Sequence, residues 1–155
     1  MSTPSTQFEC TIRTALAEDY PQMAELSRQL GYESTADDVA ARMAAMREST
    51  EHAVFVAELV GGQIGGQIGG WIGAFVLRSV EAEARAEVSG LVVDARVRSK
   101  GVGQRLLERA EKWAREKKCG TIGLRTNVVR ERAHIFYERQ GYRHTKTQRS
   151  YRKEL

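Results

Sequence analysis

The segment that most limits what this chain can become is residues 88–104, Val-Ser-Gly-Leu-Val-Val-Asp-Ala-Arg-Val-Arg-Ser-Lys-Gly-Val-Gly-Gln. Its apolar run Leu91-Val92-Val93 has the branched character of a buried strand. The run stops at a turn. Beyond Arg98-Ser99-Lys100-Gly101-Val102-Gly103 the apolar residues recur with helical spacing. A strand that delivers glycines and bare N–H groups to a helix N-terminus builds an anion site. The first-turn donors there lack acceptors, and the helix dipole is positive at that end. Arg98 and Lys100 add positive charge at the same place. The pattern points to a phosphorylated ligand. It is not a Walker loop, which needs Gly, four residues and then Gly-Lys-Ser/Thr. Nor is it a dinucleotide fingerprint, because Leu106 stands where the third glycine belongs.

What remains, Arg98-x-x-Gly101-x-Gly103, resembles the acetyl-coenzyme A signature of the GNAT family of N-acetyltransferases, Gln/Arg-x-x-Gly-x-Gly/Ala at the start of a helix. Further on, Ala133-His134-Ile135-Phe136-Tyr137-Glu138-Arg139-Gln140-Gly141-Tyr142 is similar to that family's second signature, Ala-x-x-Phe-Tyr-x-x-x-Gly-Phe/Tyr. The two fall in the expected order and at the expected separation, and the resemblance covers nearly the whole chain. It implies an α/β (α+β mixed sheet) GNAT-like fold. Such a fold has a central mixed sheet of six to seven strands, splayed at strands 4 and 5 and flanked by about four helices.

Residues 1–7 read as a flexible tail and residues 8–155 as a single acetyltransferase domain. The apolar runs fall far short of the roughly 20 residues that span a bilayer, so no membrane is expected. Cys10 and Cys119 lack CxxC spacing and read as free thiols of a reducing cytoplasm. Charge is uneven, with 7 Lys/Arg against 14 Asp/Glu up to Val97, and 17 against 6 from Arg98 on. A basic half can attract nucleic acid, but clustered aromatics and a recognised motif are missing. It equally serves an anionic cofactor, while the acidic half suits a cationic acceptor. Many of these charges are solvated helix faces.

Phe8, Cys10 and Ile12 share one face of a first strand over residues 8–14. Asp19 and Pro21 begin a helix that Gly31 stops. Ser34-Thr35-Ala36-Asp37-Asp38 opens a second helix with a capping box. Residues 53–60 and 71–80 read as strands joined by the tandem repeat Gly-Gly-Gln-Ile-Gly-Gly-Gln-Ile at 61–68. Four inserted residues keep the alternation in phase, which predicts an elongated hairpin with Ile64, Ile68 and Ile72 on one face. Residues 86–93 form the next strand, with Gly90 a candidate bulge. A long helix from Gly101 to Gly120, a strand at 121–126, a short helix at 131–140, and a strand pair at 142–147 and 149–155 complete the chain.

Acetyl transfer to an amine needs a neutral amine, a donor for the oxyanion and a proton for the departing sulfur. It needs no enzyme nucleophile. The resemblance assigns cofactor contacts to Leu91, Val92 and Val93, with Leu91 and Val93 pairing through their backbone to the pantetheine arm. It places the diphosphate on Arg98, Ser99, Lys100, Gly101, Val102, Gly103 and Gln104. Tyr137 matches the general-acid tyrosine; a half-buried packing role suits it as well. Glu87, at the start of the central strand, matches a water-linked base, with a solvated strand-end carboxylate as the alternative. Relatives often carry Asn where Arg130 stands; Arg130 then contacts the cofactor differently or is exposed. Glu33, Asp37 and Asp38 are candidates for an acceptor mouth. His52, His134 and His144 show no metal spacing. The expected enzyme transfers acetyl from acetyl-coenzyme A to a cationic small-molecule amine by direct transfer in a ternary complex. The alternatives are a non-catalytic acyl-coenzyme A sensor and a protein lysine or N-terminal acetyltransferase. A homodimer is compatible with either.

Overall fold

Strand order in space follows strand order in sequence: β1 (Cys10–Thr14), β2 (His52–Leu59), β3 (Ile68–Leu77), β4 (Arg85–Val93) and β5 (Ile122–Leu124) form one sheet. The computed structural model describes residues 9–155, so the expected tail and Phe8 lie outside the described residues. The chain divides into two units, Met1–Leu124 and Arg125–Leu155. In the first, β1 to β4 pair antiparallel. Only β4 and β5 are parallel, and the crossover that parallel pairing demands is the helix α3 (Val102–Glu116).

Both faces of the sheet are covered. Helices α1 (Tyr20–Gln29) and α2 (Ala36–Arg47) set Tyr20, Met23, Leu26 and Met43 on Val54, Val56, Ile68 and Val92. On the other face α3 buries Val102, Leu106, Leu107, Ala110, Trp113 and Ala114, the i, i+4 stripe its sequence carries. The capping box of α2 forms as its residues imply: Asp38 N–H donates to Thr35 Oγ1 at 3.1 Å, and Thr35 N–H donates to Asp38 Oδ2 at 3.0 Å. Asp19 behaves differently. It does not cap α1; its buried carboxylate takes Arg13 in two bonds of 2.7 and 2.8 Å and the Leu16 N–H at 2.7 Å. Burial alone would raise its pKa, but those bonds and the Arg13 charge hold it below the usual carboxylate value.

The repeat does not lengthen the hairpin. Its first copy forms a 3₁₀ turn at Gly62–Ile64, and the ladder closes on the second, where Leu59 and Gln67 bond at 2.8 Å. A bulge then places Glu58 opposite Ile68 but Ala57 opposite Gly70. Ile68 and Ile72 therefore face opposite sides, because a one-residue slip exchanges the faces. The six or seven strands expected reduce to five among the described residues. Residues 142–155 contain no strand. From Arg143 on every residue is exposed, and the charges Arg143, Lys146, Arg149, Arg152 and Lys153 leave no apolar face with a period of two.

Three helices end in the same hydrogen-bond pattern, a residue in the left-handed region followed by a long return bond. After α1 that residue is Gly31, with Tyr32 N–H reaching Ser27 O at 3.2 Å. After α4 (Glu131–Arg139), in the second unit, it is Gly141, with Tyr142 N–H reaching Tyr137 O at 3.0 Å. After α3 it is Lys118, at φ 61°, two residues before the glycine expected to stop the helix. A side chain there costs about 1 kcal/mol relative to glycine. Lys118→Gly should therefore stabilise the fold by about that amount and raise Tm by about 2–4 °C. Calorimetric melting checks this; an unchanged or lower Tm refutes the strain.

Candidate active site

In β4 the sequence rule and the structure meet at one extra residue. Val88 pairs with Ala74 and Gly90 with Gly73, so Ser89 is inserted between them, beside the Gly90 bulge expected. The insertion changes which backbone groups face outward. Before it, Ala86 N–H points away from β3 and donates to Thr121 O at 2.9 Å. After it, Asp94 N–H turns towards β3 and donates to Gly69 O at 2.8 Å. Antiparallel pairing alternates, so Val92 also faces β3. A Cβ placed on Gly70 would lie 2.6 Å from the Val92 carbonyl oxygen. Leu91 and Val93 then present their N–H and C=O groups to the far side. Among the described residues no strand pairs with them on that side, because β5 pairs only with Ala86, Glu87 and Val88. The β4–β5 pairing ends there, and β4 runs on without a strand partner on that side at the two residues expected to meet a ligand arm. Val92 is turned inward, its side chain 2 % exposed.

The loop that follows is pinned from below. Asp94 is buried and accepts Arg96 N–H at 2.9 Å while its carboxylate pairs with the Arg96 guanidinium at 2.9 Å. The Arg96 hydrogen bonds hold the Asp94 carboxyl below its ordinary pKa against the effect of burial. Val97 and Val102 are anchored in the core. Between them Arg98 and Lys100 are exposed. Arg98 Nε lies 3.4 Å from the Val93 carbonyl oxygen that it donates to. Ser99 and Gly101 adopt φ of 62° and 87°, which turns the chain sharply into α3. Sequence reasoning missed Asp94 and Arg96, though an Asp before a turn is a readable signal. Arg96 is already neutralised; Arg98 and Lys100 are the cations left to the loop.

Helix α3 begins without a cap. No side chain accepts from its N-terminus, and its first turn holds no acid. The first backbone bond is Arg105 N–H to Gly101 O at 3.1 Å. By helix geometry the N–H groups of Val102, Gly103 and Gln104 have no partner within the helix. The Gln104 side chain turns along the helix and donates to Glu108 at 3.0 Å. Helix α2 shows the contrast: its own Thr35 and Asp38 close its end, whereas α3 presents bare donors and two cations to an anion. A diphosphate fits that donor set.

Glu87 lies on β4 opposite Phe75, its side chain 13 % exposed, with Arg85 Nε at 3.7 Å. Of the acceptor-mouth candidates, Asp38 is engaged in the α2 capping box, and its bonds with Thr35 hold its pKa low. Glu33 and Asp37 are exposed. Cys10 and Cys119 are free, and burial raises the Cys10 pKa against the opposing pull of Arg105. Among the described residues no group of three His, Cys, Asp or Glu is placed to hold a metal, and no helix is long and apolar enough to cross a membrane.

In the second unit, Tyr137 sits on α4 between Phe136 and Tyr142, both edge-on, with centroids 5.1 and 6.0 Å away. Burial raises the pKa of its phenol, and the Arg130 charge only partly opposes that. Arg130 stands at the N-terminus of α4. Asn127 shapes the preceding turn, accepting Val129 N–H on its side chain at 3.1 Å and Arg130 N–H on its carbonyl at 3.0 Å.

Comparison with known proteins bears on the family and the fold. Residues 13–142 match the family described as Acetyltransferase (GNAT). An uncharacterized N-acetyltransferase of Bacillus subtilis, YhdJ, is 29% identical over 136 residues, covering 83% of this chain and 84% of its own. Glucosamine-6-phosphate N-acetyltransferase from Arabidopsis thaliana superposes with a TM-score of 0.80 at 22% identity, over 94% of this chain and 99% of that one. The aminoglycoside N-acetyltransferase AAC(6')-Iy, solved with CoA, gives 0.81 at 18% identity, over 96% and 97%. At those identities the two structures speak for the fold.

Proposed function

The chain belongs to the GNAT family of acetyltransferases, and from that premise we propose that it transfers acetyl from acetyl-coenzyme A to the primary amine of a cationic small molecule within a ternary complex. The observation that carries the reading is the uncapped, basic N-terminus of α3 after the stretch of β4 that β5 does not pair with. Val102, Gly103 and Gln104 would offer backbone N–H groups to the diphosphate, with Arg98 and Lys100 supplying charge and Ser99 and Gly101 the turn. Leu91 and Val93 would pair with the pantetheine amides as an added strand would. Arg130, at the start of α4, would add a cation near the cofactor's polar groups.

The thioester supplies an acetyl carbon that takes the amine's lone pair while the C–S electron pair departs with sulfur. Glu87, directly or through water, would accept the proton the amine nitrogen gives up. Tyr137 would give a proton to the departing sulfur. Each is an ordinary general-catalytic role, with an effect of about 10²–10⁴-fold. The cationic acceptor follows from the acidic balance of the residues before Arg98. Thiol release on mixing the chain with acetyl-coenzyme A and a panel of amines tests the reading. Turnover with polyamine-like or aminosugar acceptors is the expected result. Binding of the cofactor with no turnover on any amine would overturn it in favour of a sensor.

A further inference from the structure

The second copy of the tandem repeat reaches the loop that leads into α3. Gln67 Oε1 accepts from Arg96 Nη2 at 3.1 Å. The next residue, Ile68, donates its N–H to Gln22 Oε1 of α1 at 2.8 Å. Gly69 O then takes Asp94 N–H at 2.8 Å. Two of these ties end on the loop. The first copy stays outside: Gln63, the counterpart of Gln67, is exposed in the 3₁₀ turn.

The loop's own hydrogen bonds show what the ties do. Its turn at Ala95–Val97 has three N–H groups to satisfy. Asp94 satisfies two from within the loop, Arg96 N–H on its side chain at 2.9 Å and Val97 N–H on its carbonyl at 3.0 Å. The third, Ala95 N–H, goes outside, to Gln29 Oε1 at 3.1 Å. Gln29 is the last residue of α1. The Arg96 side chain, already paired with Asp94, goes outside too, to Gln67. The turn is thus held between one glutamine of α1 and one of the hairpin. Both are neutral acceptors, so neither adds negative charge beside the cations Arg98 and Lys100 that follow. The same stretch carries Ser99 at φ 62°, a conformation that a residue with a side chain keeps only where its surroundings hold it.

We propose that Gln29 and Gln67 are positioning residues for coenzyme A: they hold the Ala95–Val97 turn in the shape from which Arg98 to Gly103 meets the diphosphate. The inference rests on the transferase reading above and adds to it two residues that touch no ligand. Preorganisation carries it. Fixing backbone costs conformational entropy, and a loop already fixed does not bear that cost at binding. Release of either tie leaves the donors and cations in place but widens the range of shapes they sample. Affinity then falls, while the chemistry at the thioester does not.

Methionine keeps the length of glutamine and removes the acceptor. Gln29 is exposed and Gln67 half-buried, so Gln29→Met and Gln67→Met should both fold. Each should raise the Kd for coenzyme A, read by calorimetry, about three- to tenfold. The KM for acetyl-coenzyme A should rise in step, with kcat at saturation unchanged, and the double variant should exceed either single one. Gln63→Met, the same exchange in the other copy of the repeat, should bind as the parent does. A merely structural tie would lower the melting temperature and leave Kd and KM where they are. That result, with the parent binding coenzyme A, overturns the positioning role and leaves the transferase standing. So does an equal rise in Gln63→Met, or a loss of kcat in place of affinity. A parent chain that shows no saturable heat with coenzyme A overturns the cofactor reading and the positioning role together.

Discussion

Gly103→Asp should yield a protein that folds as well as the parent and no longer binds coenzyme A. The two effects have opposite signs at one position, which makes the result diagnostic. Residue 103 is the second of α3. A carboxylate there meets the positive end of the helix dipole, worth about 0.3–1 kcal/mol to the fold. Replacing a helical glycine also removes up to about 1 kcal/mol of backbone entropy cost. The melting temperature should hold or rise. For the ligand the same carboxylate is a fixed negative charge among the donors meant for a diphosphate. Two like charges about 4 Å apart near a protein surface repel by about 4 kcal/mol, close to three powers of ten in affinity. Titration calorimetry should register no saturable heat, and the thermal stabilisation that the parent gains from coenzyme A should vanish. A variant that binds as tightly as the parent would move the diphosphate away from α3. Gly101 is a poorer probe, because its φ of 87° strains any replacement and confounds folding with binding.

The reasons the geometry of this loop was legible are local. An Arg-x-x-Gly-x-Gly string before an amphipathic helix encodes its own geometry, since glycine at Gly101 supplies the left-handed turn. The absence of a cap is readable from the missing Ser, Thr, Asp or Asn at that position. The Thr35–Asp38 box and the Gly31 and Gly141 helix ends are equally short-range and fell where the residues imply. What sequence reasoning missed depends on partners far along the chain. Ile64 and Ile68 occupy equivalent places in identical tetrapeptides, yet only Ile68 is buried, 2 % exposed, because Gln22 takes its N–H at 2.8 Å and Leu59 closes the ladder beside it. No periodicity within the repeat distinguishes the copies. The Ser89 insertion is of the same kind. Gly90 signals a bulge, but which residue is extra depends on the register with β3. That register decides that Leu91 and Val93, and not Val92, face away from β3. At the other end of the chain, residues 142–155 alternate loosely enough to suggest strands, but they bring no apolar face that burial would hold in place.

Tyr137→Phe removes one oxygen atom and should lower kcat about 10²–10⁴-fold with little change in affinity for acetyl-coenzyme A. The ring stays, edge-on to Phe136 and Tyr142, so the helix should pack as before. The pH dependence gives an independent check. Burial raises the phenol's pKa above its ordinary value, with Arg130 pulling back only in part. The phenol therefore remains protonated well above the range where a carboxylate titrates. The rise of kcat/KM from low pH should belong to the acceptor and its base and survive in the variant. The phenol's own loss of its proton would bring a fall only above about pH 10. The same sign governs stability: whatever the neutral phenol contributes is complete below the unfolded pKa and fades as pH climbs through the higher folded value. The decisive measurement changes the leaving group. If the phenol protonates sulfur, an acetyl thioester of a more acidic thiol needs that proton less. The deficit of the variant should shrink as the thiol becomes more acidic, while the parent enzyme responds weakly. A deficit that stays constant across the series would mean that Tyr137 supports the site by packing alone, and a variant with undiminished turnover would remove it from the reaction altogether.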